Sequence, residues 1–403
     1  MPAEGYPVLP QDDLQKAVGL LEKKSRSFWV ASAGFGAEVR EKLVALCVFL
    51  SLRTFEVTLL TSIPVSGELG RYSFCRVTDD LIDSPAADQT AEQAISMISD
   101  YLDLIFGPAP TPSKVSEAAL PGQSELLPAP HPSRPCGIWP IPEPPIVAQA
   151  KIDRFLADRV PAEAHFSFRL LSRLTRLVPR YPIDELLRGY SLDLAYPLAP
   201  DLPDSSSSPI KRLDDLLDYG LCVAGSVAEL IVYLAWAERS DQVPSTVEGR
   251  ETVLVKSREM GTALQLVNIA RDLAGDGQEG RCYLPMSWFE GSEPLPAPPA
   301  GSPPRPADPV PAHLPLILGS QEVFPWPTYA LPLLALADRL ATSSRPGIDL
   351  LPSSARAGVR AAAGGYLLIG KEIKDVWQGD VRERRTVKGW RRVLAVVYEV
   401  WGR

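Results

Sequence analysis

The sequence predicts an all-α fold, a single helical bundle, and three observations carry that prediction. Long segments repeat apolar residues at three- and four-residue spacing, the pattern of helices with one buried face. The alternating pattern of strands is absent from these segments. The 41 prolines, about twice the usual share, are concentrated between the segments, where they interrupt helices. Because hydrophobic residues make up 45% of the chain, one large core can be buried.

Six segments have helical periodicity, at 147–160, 163–177, 213–237, 252–273, 329–341 and 355–377. Two proline-rich stretches, 107–145 and 293–311, are predicted to be loops or disordered insertions, because their proline density excludes both helix and strand. A shorter loop is predicted at 198–209. The stretch 219–237 is long enough to span a membrane, but it contains Glu229 and two glycines, so we expect a buried helix.

The net charge, the cysteines and the N-terminal residues indicate what the protein binds and in which compartment it works. The formal charge of −8 argues against nucleic acid as a partner, because phosphate backbones are bound by basic surfaces. The five cysteines are widely spaced and never form a C-x-x-C pair, so a reducing compartment is expected without a disulfide framework or zinc site. Residues 1–13 contain acids and no arginine, which fits neither a secretory signal nor a transit peptide. We therefore expect a cytoplasmic protein.

Two D-x-x-x-D pairs are the first candidates for chemistry. They are Asp79 with Asp83, and Asp272 with Asp276. A four-residue step places both carboxylates on one face of a helix, where they repel each other unless a cation lies between them. Mg²⁺ prefers such oxygen ligands and completes its shell with waters and substrate phosphates. A single D-x-x-x-D pair is weak support for a metal site, since about one such pair is expected by chance in a chain of this length and most lie on solvated helix faces.

Each pair continues a longer polar stripe on an otherwise apolar helix. Tyr72 and Arg76 precede the first pair at helical spacing, and Gln265 and Asn268 precede the second. Helices this apolar are expected inside a protein, where buried charges need partners. The two stripes therefore either face each other across a cavity that binds metal-bridged polyanions, or form a structural polar core.

Arginines near the stripes favour a diphosphate as the polyanion. Arg76, Arg271 and Arg281 lie within the stripes or just after them. Arginine binds phosphate oxygens through two parallel hydrogen bonds, which complements metal held by aspartates. A basic run at 382–388 could cover the site or be a solvated face. The sequence contains no phosphate-binding loop, serine-hydrolase elbow or dinucleotide fingerprint.

Two glycines interrupt the most apolar predicted helix. Gly220 and Gly225 lower its intrinsic stability, so a specific use for them is expected. They permit either a close contact with another helix or the passage of a substrate tail. The nearby Ser226 is interpreted as a packing residue rather than a nucleophile.

Four phrases of the sequence resemble the squalene and phytoene synthase family of head-to-head prenyl synthases. They are KSRSF (24–28), YSFCRVTDDLID (72–83), DYGLCVAGSVAEL (218–230) and GTALQLVNIARDLAGDGQEGRCYLP (261–285), with a weaker similarity in ELLRGYSLDL (185–194). The last long phrase looks like the second aspartate motif of the family with its trailing arginine and Y-L-P. Within the family, D-L-A-G-D at 272–276 resembles the motif of phytoene synthases more than that of squalene synthases. C-R-V-T-D-D-L-I-D at 75–83 looks most like the phytoene synthase half of fungal bifunctional enzymes.

The resemblance implies one domain over 14–403, a bundle of the isoprenoid synthase type with a central cavity. It implies that two geranylgeranyl diphosphates are joined head to head, through prephytoene diphosphate, to phytoene, the first committed step of carotenoid biosynthesis. Mg²⁺ is the implied cofactor, with Mn²⁺ as a substitute. For a lipophilic product, peripheral contact with a membrane is expected, and association with a lycopene cyclase is a further implied partnership.

The resemblance also assigns roles to residues of this chain. Metal binding falls to the four aspartates and an amide, Asp79, Asp83, Asn268, Asp272 and Asp276. Tyr72 joins the aspartates as a catalytic residue, and with Phe28 and Tyr190 it would line the cavity and offer aromatic faces to a carbocation. Substrate binding is implied for Ser25, Ser27, Arg76, Gln265, Asn268, Arg271, Arg281 and Tyr283. A helix-capping role for Ser25 and Ser27 stays open.

Two alternatives remain. Squalene or presqualene diphosphate synthesis from farnesyl diphosphate is the enzymatic alternative, and a non-catalytic assembly factor is the other, although such factors tend to lose the aspartate pairs kept here.

The segment 47–71 separates two parts of a helix that runs continuously in the family. Our hypothesis is that it is a retained intron or an error of the gene model, which the sequence of the mature transcript would decide. If the insertion is real, the inner helix must be broken or looped out beside the metal site, and a family member inactivated by this insertion is then the non-catalytic alternative.

Overall fold

The structure is a computed structural model that describes residues 10–13, 15–16, 90–108, 124–128, 134–196, 208–278, 280–297 and 326–375. The longer regular elements in these residues are all helices, in agreement with the predicted all-α fold. In chain order they are α1 (Ala91–Phe106), α2 (Gln149–Arg159), α3 (His165–Leu174), α4 (Tyr181–Leu194), α5 (Leu213–Glu238), α6 (Val247–Gln278), α7 (Met286–Glu290), α8 (Trp326–Asp349) and α9 (Ser353–Asp375).

The six predicted helices are present, with different ends. The predicted segment 252–273 is the middle of α6, and 329–341 is the first half of α8. Pro332 and Pro346 lie inside α8, so the expectation that prolines stay outside the core helices is wrong at these two positions. Helices α1 and α4 were not among the predicted segments.

Helix α6 is the central element of the described bundle. It packs most extensively against α8, and also against α5 and α9. Its buried faces belong to one hydrophobic core shared with α1, α4, α5 and α8. Because several helices contact α6, nearly every side chain between 258 and 273 is buried.

Helix α5 is a core helix. Its middle, Leu221–Gly225, is a π-helical turn between the α-helical parts Leu213–Gly220 and Ser226–Glu238. Among the described residues it is the one helix with the length and composition of a membrane span, yet 83% of its most apolar window is buried inside the bundle. This burial is what the sequence analysis expected for 219–237.

The proline-rich stretch 107–145 is a loop where it is described, but its last part is ordered and packed. Ser124 donates a hydrogen bond to Glu259 at 2.6 Å, and the amide of Gly137 donates one to Glu251 at 2.8 Å. Both glutamates lie on α6 and are buried. Of the two predicted alternatives, loop or disordered insertion, residues 134–145 are a packed loop, because this segment supplies hydrogen-bond donors to buried acids. We call residues 134–148 the strap.

The strap contributes an arginine to a buried cluster of charges at the N-terminal half of α6. Arg134 donates to Glu229 at 2.8 Å and to Glu251 at 2.5 Å. Arg258 donates to Glu185 at 2.6 Å and to Glu229 at 2.8 Å. The side chains of all five residues are at most 8% exposed. The cluster ties the strap, α4, α5 and α6 together.

Other predictions fall outside the described residues. These are the segment 47–71, most of the loops at 198–209 and 293–311, and the basic run at 382–388.

Candidate active site

The second polar stripe lies along the C-terminal half of α6, as predicted. Gln265 and Asn268 are 6% and 4% exposed, whereas the Asp272 side chain is 23% exposed. Asp276 is also partly exposed. The stripe thus runs from the buried interior towards the end of the helix, where its two carboxylates are accessible to solvent or ligand.

Arg271 and Asp272 form a two-point ion pair between neighbouring residues. The Nε atom of Arg271 donates to Oδ1 of Asp272 at 2.9 Å, and Nη2 donates to Oδ2. The Arg271 side chain is only 1% exposed. Desolvation by burial lowers the pKa of Arg271, but the hydrogen bonds to Asp272 and the nearby acidic groups outweigh it and leave the pKa above its usual value. The guanidinium therefore stays charged within the bundle.

A tight turn after α6 brings the next residues back to the end of the stripe. Gly280 has φ of 78°, a conformation that favours glycine. The amide of Arg281 then donates to the carbonyl of Asp276 at 2.8 Å. Arg281 is half-buried, and Tyr283, two residues on, is buried. The structure thus places the predicted substrate residue Arg281 next to Asp276, the last residue of the second aspartate motif.

Tyr283 belongs to a buried cluster around Asp193 of α4. Its hydroxyl donates to Asp193 at 2.7 Å, and the hydroxyl of Tyr219 donates to the same carboxylate at 3.1 Å. The two rings stack with centroids 4.9 Å apart. Tyr196 contacts Tyr283 edge to face and donates to the carbonyl of Cys282 at 2.8 Å. Asp193 therefore fixes two aromatic rings beside the Y-L-P segment.

The sequence analysis missed Asp193 and Tyr219. Both occur in phrases that were quoted for the family resemblance, 185–194 and 218–230, but neither was assigned a role. Their spacing in sequence carries no signal, because the cluster forms only when α4, α5 and the turn after α6 meet. A buried aspartate in an apolar helix was the available signal, since such a group needs hydrogen-bond donors.

The glycines of α5 allow close contact between α5 and α6. A Cβ atom on Gly220 would lie 2.9 Å from Cγ2 of Thr262, and one on Gly225 would lie 3.4 Å from the carbonyl oxygen of Arg258. On the other side, a Cβ on Gly261 would lie 2.4 Å from the carbonyl oxygen of Ala224. Of the two uses that the sequence left open for Gly220 and Gly225, the structure shows the close helix contact.

Several predicted site residues lie outside the described residues. They are Ser25, Ser27, Phe28, Tyr72, Arg76, Asp79 and Asp83. The opposition of the two stripes therefore stays a prediction. Tyr190 is described and buried on α4, 4% exposed. Within the described residues no group of three or more His, Cys, Asp or Glu side chains gathers into a metal site.

The described half of the site suits a hard divalent cation by its donor chemistry. Asp272 and Asp276 present carboxylate oxygens at the accessible end of α6, and Asn268 adds an amide one turn before Asp272. Mg²⁺ is commonly held by one or two protein carboxylates, with waters and phosphates as its remaining ligands. Two accessible carboxylates one turn apart are consistent with that pattern.

The fold is that of the isoprenoid synthase class. The crystal structure of a dehydrosqualene synthase in complex with ligand superimposes with a TM-score of 0.58 at 17% identity, over 96% of this chain and 95% of that one. A likeness at this identity defines the fold alone.

Sequence comparison then identifies the family. The squalene/phytoene synthase family model matches residues 71–307, a region that includes both aspartate pairs. The chain therefore belongs to the squalene/phytoene synthase family, which confirms the predicted resemblance.

Two relatives in this family are bifunctional lycopene cyclase/phytoene synthases. The one from Phaffia rhodozyma is 51% identical over 409 residues, 98% of this chain and 57% of the relative. The one from Phaeosphaeria nodorum is 30% identical over 381 residues, 94% of this chain and 49% of the relative. The chain thus spans about half the length of these relatives.

Proposed function

We propose that this chain is a Mg²⁺-dependent phytoene synthase that condenses two geranylgeranyl diphosphates head to head, through prephytoene diphosphate, to phytoene. The observation that carries the proposal is the 51% identity with the Phaffia rhodozyma bifunctional lycopene cyclase/phytoene synthase across 98% of this chain. The site geometry supports it, because the second aspartate pair is partly exposed at the end of a helix whose residues 258–271 are all buried.

The arrangement of α6 suits a substrate with an anionic head and an apolar tail. Asp272 and Asp276 lie at the accessible end, and buried apolar side chains such as Leu264 and Ile269 occupy other faces of the same helix. A diphosphate head would bind at the carboxylates, and the prenyl tail would extend into the bundle. An allylic cation survives only where water is excluded, which a helical interior provides.

The residues of the chain have distinct roles in this reaction. Asp272, Asp276 and Asn268, with the first aspartate pair, would hold Mg²⁺. Bound Mg²⁺ supplies Lewis-acid assistance to the departure of diphosphate. In the first step the C–O bond of one substrate breaks and its diphosphate leaves. The double bond of the second substrate attacks the resulting allylic cation, and the coupled cation loses a proton as it closes to the cyclopropane. In the second step the remaining diphosphate leaves, the skeleton rearranges, and a second proton is lost.

The surroundings of the enzyme are part of the proposal. Both relatives combine this activity with a lycopene cyclase in one longer protein, so we propose that the present chain functions together with a cyclase, either fused or associated. We also propose a cytoplasmic location with peripheral contact to a membrane, because phytoene is too apolar to leave in water.

The test is turnover by the purified chain. With Mg²⁺ and geranylgeranyl diphosphate, the expected product is phytoene, and farnesyl diphosphate is expected to be a poor substrate. Asp272→Asn and Asp276→Asn should each lower kcat/KM at least about a hundredfold, because each removes a ligand to the group that stabilises the leaving diphosphate.

Asp158→Asn is the matched control, since Asp158 is 61% exposed in a surface ion pair on α2. A C30 product from farnesyl diphosphate with no phytoene would overturn the substrate assignment. Unchanged turnover by Asp272→Asn would overturn the metal assignment. A form lacking 47–71, assayed in parallel, tests whether that segment prevents activity.

A further inference from the structure

We infer that residues 141–147 of the strap form a preordered polyproline II (PPII) segment that docks a protein domain with an aromatic-lined groove. The segment reads I-P-E-P-P-I-V and contains neither helix nor strand. The proposed reaction makes no use of it. The inference is therefore independent of the proposed function.

Proline chemistry restricts the backbone of this segment. The ring of a proline holds φ at about −65°, and a residue that precedes a proline is confined to extended or PPII geometry. From Ile141 to Pro145 every residue is a proline or precedes one. At the end of the strap, Ala148 has φ of −62° and ψ of 132°, close to the PPII values. The chain is thus held in PPII-like geometry.

The exposure of the side chains follows the same geometry. Ile141, Pro144 and Val147 are half-buried, whereas the residues between them are exposed. A PPII helix has three residues per turn, so this repeat indicates that one of its edges lies on the bundle. The other two edges face outwards. One of them presents Pro142 and Pro145, one PPII turn apart.

The chain before and after the segment is fixed to the bundle. Arg134 and Gly137 bind to buried glutamates of α5 and α6. Trp139 packs edge to face on the ring of Trp236, with centroids 5.8 Å apart. On the other side α2 begins at Gln149. A ligand that is already held in its bound conformation loses less conformational entropy on binding than a free chain does.

The groups on the outward edges indicate the chemistry of the partner. Ile146 is 96% exposed, so a large apolar side chain lies beside the exposed prolines. A PPII helix has no internal hydrogen bonds, and no described residue donates one to a backbone carbonyl of 141–147. A partner must therefore cover apolar side chains and donate hydrogen bonds at the same place. Tyrosine and tryptophan do both, because each combines an apolar ring with a polar donor.

This combination favours an aromatic groove over a lipid surface. Carbonyl groups without a hydrogen-bond donor are costly to bury in hydrocarbon. Domains of the SH3, WW and EVH1 classes bind PPII segments in grooves lined by aromatic side chains. The partner that fits the segment is a protein domain of this kind.

The experiment measures binding of the full chain to purified domains. One SH3, one WW and one EVH1 domain are the probes, and isothermal titration calorimetry gives each dissociation constant. We expect at least one domain to bind. Pro142→Ala and Pro145→Ala should each weaken that binding about tenfold or more, because each removes a ring that fills the groove. Pro294→Ala is the matched control, since Pro294 is an exposed proline outside the strap.

A free peptide of residues 138–148 tests the preordering. We expect it to bind about tenfold more weakly than the full chain, because the peptide must be ordered on binding. Both prolines are exposed, so circular dichroism and thermal melting of the two variants should match the wild type. Their phytoene synthesis should also be unchanged, which separates this result from the proposed function.

The outcomes that contradict the inference are distinct. Failure of all three domains to bind the wild-type chain, or binding that neither proline variant weakens, would overturn it. Equal or tighter binding by the free peptide would show that the strap does not preorder the segment. Binding to vesicles of phosphatidylcholine and phosphatidylserine that is lost in Pro142→Ala would make the segment a membrane contact instead.

Discussion

Arg134 donates a hydrogen bond to Glu229 at 2.8 Å, and the two side chains are 1% and 0% exposed. Arg134 belongs to the strap and Glu229 to the core helix α5, 95 residues apart in the sequence. Arg258 holds the second oxygen of the same carboxylate at 2.8 Å. Glu229 is thus a buried anion between two arginines, and one of them comes from a segment without regular secondary structure.

The first prediction concerns the contribution of Arg134 to stability. We expect Arg134→Ala to lower the free energy of unfolding by about 3–5 kcal/mol, because Glu229 and Glu251 would lose a partner while remaining buried. Urea denaturation followed by circular dichroism measures the change. Arg154→Ala is the matched control, since Arg154 is 84% exposed in a surface pair, and we expect it to cost less than about 1 kcal/mol. Equal losses would show that the strap is not anchored through its arginine.

The second prediction is the pH dependence that Glu229 contributes. Desolvation by burial raises the pKa of Glu229, but the charges of Arg134 and Arg258 and their hydrogen bonds outweigh it, so the pKa lies below its ordinary value of 4.5. A carboxyl with a lowered pKa stabilises the folded state above its unfolded value, and this stabilisation is lost as the pH falls through the folded value. We therefore expect the loss to occur below pH 4.5.

The test compares the free energy of unfolding of the wild-type chain and Glu229→Gln, from about pH 6 to about pH 3. The variant should be less stable near neutral pH, because two arginines lose a counter-charge. Its stability should fall less steeply than that of the wild type in the acid range. Parallel curves would contradict the assignment of this pH dependence to Glu229.

The sequence and the structure agree where the pattern is local. The stripe from Gln265 to Asp276 was predicted because a three- and four-residue spacing is a property of one helix, and α6 carries it. The helix is longer at both ends than its periodicity indicated, and its first residues, 247–250, and Gly275 and Asp276 are exposed or partly exposed, so they do not belong to the buried face that the periodicity traces. Pro332 lies inside α8 at a buried position, although an internal proline lacks a backbone hydrogen-bond donor.

Contacts between distant segments were beyond the sequence pattern. Residues 107–145 were predicted to be loops or disordered insertions from their proline density, which describes only the local backbone. That density does not show that Arg134 pairs with buried acids on α5 and α6. Asp193 was missed because its two tyrosine donors come from α5 and from the turn after α6. Both features depend on contacts between side chains that are far apart in the sequence. The periodicity of one helix contains no information on such contacts.

The third prediction concerns the close approach of α5 and α6. We expect Gly261→Ala to destabilise the protein by about 1–3 kcal/mol, because the added Cβ would lie 2.4 Å from the carbonyl oxygen of Ala224 and force the helices apart. Gly365→Ala is the control within a helix, since a Cβ there meets nothing within 4 Å. That change should stabilise the protein by up to about 1 kcal/mol, through the better helix propensity of alanine. Thermal melting of both variants should thus give shifts of opposite sign.

The fourth prediction separates a charged from a neutral hydrogen-bond acceptor in the tyrosine cluster. Tyr283→Phe removes the donor at 2.7 Å from Asp193, and Tyr196→Phe removes the donor at 2.8 Å from the backbone carbonyl of Cys282. Both rings are buried and contact each other, so each variant keeps its packing. A bond to a charged group is worth about 1.5–3 kcal/mol and a neutral one about 0.5–1.5 kcal/mol. We therefore expect Tyr283→Phe to be the less stable variant in urea denaturation without substrate. If Tyr196→Phe lost as much or more, Asp193 would not be the anchor of the Y-L-P segment.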